Sequence, residues 1–181
     1  MTAPSLSAWQ PVTRKELPAR LGHFRDWFLC GGESVDHFVG RTTRAHGDID
    51  VGVYRSELMA CLRSVHGIPY LCDPPGSVVR WQGGDVPQHV NDIFVADHAE
   101  THWMFQILVF TDRGDRVVFK RNDSITWAKS AHVIEENGFS ILNPAITLLY
   151  KTTNGRNEPK DLQDIVTLIE SCAERLGHSA S

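Results

Sequence analysis

The stretch Phe28–Val53, FLCGGESVDHFVGRTTRAHGDIDVGV, brings two arginines and a histidine up to two aspartates, Asp48 and Asp50, that are separated by one residue. Its end alternates: Ile49, Val51 and Val53 fall on one side of an extended chain and Asp48 and Asp50 on the other, the period of a half-buried strand. Its start, read from Asp26 as DWFLC, has the length and composition of an interior strand that stops in a tight turn at Gly31-Gly32. ESVDHFVG then reads as a short helix with Val35, Phe38 and Val39 on its apolar side.

Residues i and i+2 of a strand lie roughly 6.5–7 Å apart and point the same way. Asp48 and Asp50 therefore aim two carboxylates at one small volume, where mutual repulsion disfavours full ionisation unless a cation is present. A solvated strand face is one reading of such a pair. The other is a Mg²⁺ site, because that ion takes oxygen ligands, keeps several waters and is commonly completed by substrate phosphates. The surroundings weigh toward the second. Gly31 and Gly32, at the start of a helix, offer bare backbone N–H groups to a phosphate, and Ser34 adds a hydroxyl. Arg41 and Arg44 bring forked donors that match phosphate oxygens.

Outward from this stretch the chain is mixed. Residues 1–12, with Pro and Ser and no sustained period, read as a loosely held arm, and TRKELPARLGHF as a short helical region. SELMACLRSV reads as a helix with Ser56 as its N-cap, and residues 67–85, rich in Pro and Gly, as a wide loop with short extended pieces. HVNDIFVAD, HWMFQILVFTD and DRVVFKRND read as an antiparallel meander whose Phe94, Trp103, Phe105 and Phe110 belong to sheet core. ILNPAITLLYK has Asn143 as N-cap and Pro144 in the first turn. The segment after Pro159 carries Leu162, Ile165, Val166 and Ile169 at helical spacing. The expected organisation is an arm (1–12), a core (13–125) and a helical C-terminal portion (126–181) packed on it, giving an α/β (α+β) mixed sheet flanked by helices.

With 181 residues, 41% apolar and 22% charged, the chain is an ordinary globular sequence long enough for one sizeable core. A formal charge of −4 and a pI near 6.1 leave any phosphate contact to a local patch, speak against extensive nucleic-acid binding and favour a small-molecule partner. The four cysteines have no regular spacing and follow no signal-like segment, so reduced thiols in the cytoplasm are expected. No run approaches the ~20 apolar residues that span a bilayer. A Gly-x-x-x-x-Gly-Lys-Ser/Thr loop, a Gly-x-Gly-x-x-Gly fingerprint and a Gly-x-Ser-x-Gly elbow are all missing, and Cys61, His66, Cys72 and His89 lack the paired spacing of a structural zinc site.

Taken in order, Gly31, Gly32, Gly40, Arg41, Thr43, Arg44, His46, Asp48 and Asp50 resemble the signature of the DNA polymerase β-like nucleotidyltransferase superfamily, and in detail its small aminoglycoside and lincosamide nucleotidyltransferases. VVFKRND resembles that group's strand bearing a basic residue, and LLYK with KDLQDI its C-terminal helices, with Lys151, Lys160, Asp161 and Asp164 in matching places. The resemblance implies a polymerase-β-like fold and Mg²⁺-dependent transfer of a nucleoside monophosphate from ATP or another NTP to a hydroxyl of a small acceptor such as an antibiotic. It implies metal on Asp48 and Asp50, and nucleotide contacts from Gly31, Gly32, Ser34, Arg41, Arg44 and Lys151. Lys120 and Arg121 are the basic candidates on the later strand. A toxin-like enzyme acting on RNA or protein and a binding module that has lost catalysis are the alternatives.

Two positions depart from the signature. Glu33 stands where the group has Trp. Gln106 stands where a later strand carries a third carboxylate, and an amide accepts a hydrogen bond but takes no proton. Pairing HVNDIFV with HWMFQILVF about a turn near residue 99 would set Asp92 opposite Gln106, on the same sheet face at ~5 Å, and supply the missing charge. A one-residue slip would turn Asp92 away.

Overall fold

The computed structural model describes residues 3–153, 155 and 158–178. In chain order the elements are α1 (Leu17–Arg20), β1 (Trp27–Cys30), α2 (Gly31–Val39), β2 (Asp50–Tyr54), a 3-10 turn (Arg55–Glu57) and α3 (Leu58–Ser64). β3 (Ile68–Leu71), β4 (Val79–Arg80), β5 (Asp92–Ala96), β6 (Trp103–Phe110), β7 (Asp112–Arg113), β8 (Arg116–Val118) and β9 (Thr126–Ala128) follow. A second 3-10 turn (Lys129–Ala131), β10 (Val133–Glu136), β11 (Phe139–Leu142), α4 (Pro144–Thr152) and α5 (Pro159–His178) complete the chain. The result is the expected mixed sheet flanked by helices. Its large sheet has the order β10-β11-β1-β2-β6-β5-β3-β4, with β1/β11 and β2/β6 parallel and the other pairs antiparallel.

Two rows of residues run across this sheet and set its two faces. In one, Ile141, Leu29, Val51, Ile107, Ile93 and Leu71 are successive neighbours on β11, β1, β2, β6, β5 and β3, and the first five are fully buried. Each such side chain contributes about 1.5–3 kcal/mol of burial. The next row, one residue away on each strand and so on the opposite face, reads Cys30, Asp50, Gln106, Phe94, Tyr70 and Arg80. Because the strand period is two, burying the first row forces the second onto the other face. The polar strip at Asp50 and Gln106 is thus a consequence of the core.

Several expectations are corrected. The strand drawn from Asp48 begins at Asp50, although the Ile49 carbonyl still accepts from the Gln106 N–H at 2.9 Å. Gly31-Gly32 is no separate turn: β1 runs straight into α2, whose first residue is Gly31 at φ +61°. Ser56 does not cap α3; its N–H and Oγ both donate to Asp112, at 3.0 and 2.7 Å. DRVVFKRND leaves the meander, since β8 pairs with β7 and β9 in a separate three-stranded sheet. Residues 126–142, expected within a helical portion, supply β9, β10 and β11.

The arm is tied down over its described residues. The Trp103 N–H donates to the Ala8 carbonyl at 2.8 Å, and the N–H groups of Gln10 and Val12 donate to the Trp103 and Met104 carbonyls at 3.0 Å each. It therefore runs beside the start of β6, in line with β2. At the other end α4 starts as expected, with the Asn143 side chain accepting from the Ala145 N–H and Pro144 in the first turn. On α5 the buried positions are Asp164 and Leu168, whereas Leu162, Val166 and Ile169 are each about half exposed (52–54%). Among the described residues no helix is long and apolar enough to cross a membrane, and all four cysteines are free thiols.

Candidate active site

The site is assembled where β1 gives way to α2. An extended Cys30 followed by a left-handed Gly31 folds the backbone back toward β2, and register places Asp50 beside Cys30. A Cβ on Gly31 would run into Oδ2 of Asp50, so glycine is required both by its φ and by the carboxylate packed against it. A Cβ on Gly32 would run into the Arg44 guanidinium and the His46 ring, which lie across the first turn of α2.

The loop between α2 and β2, which carries Asp48, is held by two buried carboxylates that sequence reading did not place in the site. Asp36, on α2 and 2% exposed, accepts from the Thr43 N–H at 3.0 Å and Thr43 Oγ1 at 2.5 Å, and pairs with His46 Nε2 at 2.7 Å. Asp164, on α5 and fully buried, takes a bidentate pair from Arg44, Nε and Nη2 each at 2.9 Å, and Lys151 Nζ at 2.7 Å. Burial alone would raise the Asp164 pKa, but the hydrogen bonds from Arg44 and Lys151 outweigh it and hold the carboxyl below its ordinary value. The same contact raises the Arg44 pKa. The available signal for Asp36 was an acidic residue next to Val35 on the apolar side of a short helix.

The residues read as phosphate contacts are thus differently occupied. Arg44 and Lys151 are engaged by Asp164, and Lys151 also meets Asp161 at 3.0 Å. Ser34 is 2% exposed and its Oγ donates to the Gly31 carbonyl at 2.8 Å, so the hydroxyl closes the first turn of α2. Arg41 is exposed and lines a hollow with His37 and Gly40 at the far end of α2, away from Asp50. Glu33 pairs with Arg14 at 3.0 Å.

The expected Asp92–Gln106 register is also off, by two residues. Asp92 is opposite Leu108, and Phe94 is opposite Gln106. An even shift keeps the face, and Gln106 Nε2 reaches diagonally to donate to Asp92 Oδ1 at 3.1 Å. Lys120 Nζ lies 4.0 Å from the other oxygen of Asp92. Asp50 is pushed up to about 7, first by burial and then by the charge of Asp48; Asp92 raises it further, while Lys151 and Lys160 oppose the rise.

Two cavities flank this strip. One, of about 210 Å³, is bounded by Cys30 and Gly31, by the apolar Leu108, Phe110 and Tyr150, and by Lys120, Arg121 and Lys151. The other, of about 450 Å³, is lined by Asp92, Gln106 and Phe94 and by Asp73 and His89, which pair at 2.9 Å. Gln106 and Leu108 are same-face neighbours on β6, yet each lines a different cavity: Cys30 and Leu108 the smaller, Gln106 and Asp92 the larger, with Asp50 paired between Cys30 and Gln106. Among the described residues no group of three or more His, Cys, Asp or Glu is placed to hold a metal ion.

A solved structure shares this architecture. A lincosamide antibiotic adenylyltransferase, LnuA, in its lincomycin-bound crystal structure, matches at a TM-score of 0.58 and 17% identity over 88% of this chain and 98% of its own. The Megavirus polyadenylate synthase matches at 0.46 and 11% over 81% of this chain and 28% of its own. ANT(2")-Ia in complex with adenylyl-2"-tobramycin matches at 0.43 and 14% over 83% and 82%. No protein-family profile matches the sequence, and no curated protein matches it. The chain has the nucleotidyltransferase fold.

Proposed function

We propose that this chain is a Mg²⁺-dependent nucleotidyltransferase that moves a nucleoside monophosphate from an NTP, ATP in the first instance, to a hydroxyl of a small acceptor such as an aminoglycoside or a lincosamide. The observation that carries the reading is the row Cys30–Asp50–Gln106 across three adjacent strands, with the smaller, cation-bearing cavity at one end and the larger cavity at the other. Transfer between two substrates needs that relationship, a charged centre with a site on either side.

The donor set fits the metal. Asp48 and Asp50 are hard oxygen ligands crowded enough for burial and mutual charge to raise the pKa of Asp50, a cost that a divalent cation relieves. Two carboxylates suit an ion completed by waters and phosphate oxygens rather than a protein cage. Bound there, Mg²⁺ supplies charge neutralisation on the triphosphate.

The residues then divide the work. Backbone N–H groups in the first turn of α2, after Gly31, face the phosphates. Lys120, Arg121 and Lys151 line the cavity that takes the nucleotide, with Tyr150 and Phe110 against its base. Lys151 does this while bound to Asp161 and Asp164, as a placed charge rather than a mobile one. Asp92 receives the acceptor's hydroxyl proton as the oxygen attacks the α-phosphorus. The bond to the bridging oxygen breaks, and pyrophosphate leaves. Gln106 orients Asp92 through the 3.1 Å hydrogen bond.

A second reading is favoured by Gln106 itself: a nucleotide-binding module that has lost catalysis along with its carboxylate on β6. One experiment separates the two. The protein is incubated with each NTP, Mg²⁺ and pooled hydroxylated acceptors, and the products are read by mass spectrometry for a nucleoside-monophosphate adduct. An adduct with pyrophosphate release supports transfer. Mg²⁺-dependent ATP binding with neither product supports the module, and no NTP binding removes both.

A further inference from the structure

We infer that the larger cavity takes an amphipathic hydroxylated molecule, and that the N-terminal arm, through Leu6, is the wall that selects it. This rests on the reading of that cavity as the acceptor side, and it adds which acceptors fit.

The cavity lining is mixed, part polar and part apolar. Asp92 and Gln106 sit on the charged strip, whereas Phe94, next to Gln106 in the same row, is joined in the lining by the apolar Val78 and Leu6. An acceptor that presents its reactive hydroxyl to Asp92 therefore lays the rest of itself on Phe94, Val78 and Leu6. A molecule polar all round would leave hydroxyls unpaired against that surface, which costs free energy, whereas one with an alkyl or aryl portion would bury it there.

The arm makes this wall a built feature. Besides the three backbone hydrogen bonds to Trp103 and Met104, Trp103 Nε1 donates to the Ser5 carbonyl at 2.8 Å and Trp9 Nε1 to the Leu6 carbonyl at 3.0 Å. The Trp9 ring stands edge-on to Phe94 at 5.1 Å between centroids and tilted against Trp103 at 6.4 Å. The Leu6 backbone is thus clamped from both sides by bonds to its neighbours, while its side chain remains 46% exposed at the cavity. A leucine held in place and left half in water is one whose burial a ligand can complete. Asp73 and His89, paired at 2.9 Å, add polar groups to the same lining.

The test uses methyl, propyl and pentyl β-glucosides, three hydroxylated probes that differ only in alkyl length, titrated against the full chain by calorimetry with Mg²⁺ and ATP present. The expected result is an affinity that rises by roughly three- to fourfold per methylene until the apolar part of the lining is covered. In Leu6→Asp that rise should flatten to less than twofold per methylene. Leu6→Ser, a milder change at the same exposed position, should give an intermediate slope, with circular dichroism unchanged in both variants. An affinity independent of alkyl length, absence of binding by all three glucosides, or an unchanged slope in both variants would overturn the inference. Pyrophosphate release measured on the same samples keeps the two readings apart. An alkyl-length dependence without any release leaves this inference standing and removes the transfer reaction, and release without alkyl dependence does the reverse.

Discussion

Gln106 donates to Asp92 across two neighbouring strands, from Nε2 to Oδ1 at 3.1 Å, so the amide on β6 holds the carboxylate on β5 toward the face that carries Asp50. In the proposed chemistry this divides one role between two residues: Asp92 bears the charge and Gln106 aims it. Asp92→Asn should lower kcat by about 10²–10⁴, the range of a lost general base. Adding Gln106→Glu to that variant should restore part of the loss, because a carboxylate returns to the neighbouring strand on the same face. Steady-state pyrophosphate release measures both, and full turnover by Asp92→Asn alone would remove the residue from the reaction.

Asp48→Asn and Asp50→Asn each should reduce transfer by about 10³ or more, the effect of several kcal/mol of lost charge stabilisation. The fold should survive, since relieving two crowded carboxylates removes a repulsion. Unfolding midpoints at or above that of the parent chain, together with absent turnover, are the expected pair of results.

Gly31→Ala tests the contact between the first residue of α2 and Asp50. The new Cβ meets Oδ2 of Asp50, and an alanine at φ +61° is strained by about 1–2 kcal/mol. Displacing the carboxylate by an ångström should cost about 10² in kcat. Gly52→Ala makes a comparable collision with the Phe28 ring two residues further along β2, where overpacking costs about 1–3 kcal/mol. It should therefore lower stability with a smaller loss of turnover per unit of stability lost, a contrast that urea titration and rate measurements on the two variants will show.

Asp164→Ala leaves Arg44 and Lys151, whose side chains are 16% and 11% exposed, without the carboxylate they share. Removing one member of a buried ion pair costs about 3–5 kcal/mol. The variant should unfold at correspondingly lower urea. A change under 1 kcal/mol would mean that the loop before β2 is not held from α5.

His132 fixes a pH dependence. The ring is fully buried among Phe28, Tyr54 and Phe110, its Nδ1 accepts from Trp127 Nε1 at 2.7 Å, and burial, with a smaller push from Lys129, lowers its pKa from 6.5 to about 3. Between about pH 3 and 6.5 the unfolded chain therefore binds a proton that the folded chain does not. The stability from the neutral ring is complete above about 6.5 and is lost as pH falls, by about 1.4 kcal/mol per unit. Asp50, pushed up to about 7 in the folded chain, gives a slope of opposite sign over about pH 4–7. The His132 contribution should therefore appear as the difference between the parent chain and His132→Asn, which keeps an acceptor for Trp127, in denaturant titrations at pH 4, 5, 6 and 7.

How far the sequence carried can be judged residue by residue. Alternation from Ile49 to Val53 is a local property, so the strand that starts at Asp50 was legible, although Asp48, expected on it, falls in the loop before it. The Asn143-Pro144 start of α4 was legible for the same reason, because a cap is read by its own next few residues. The parallel pairing of β2 with β6 was not. It joins Asp50 to Gln106 across 56 positions, and no local pattern records which distant strand completes a sheet. The arm misled for a related cause: residues 8–12 are ordered by the free edge of β6 beyond the start of β2, which their own composition does not show.

By itself, then, the amino-acid order determined what most elements are and which chemistry they bring: glycines at the head of a helix, two carboxylates where a loop enters a strand, an amide where a carboxylate was expected, arginines in the loop between. Tertiary structure alone decided which of those charges are available. Asp164 and Asp36 reach the loop from other elements and take up Arg44 and His46, and a two-residue shift in pairing left Asp92 on the same face as Asp50. The physical reason is that a side chain's type is written locally, whereas its partner is set by burial and register among segments far apart in the chain.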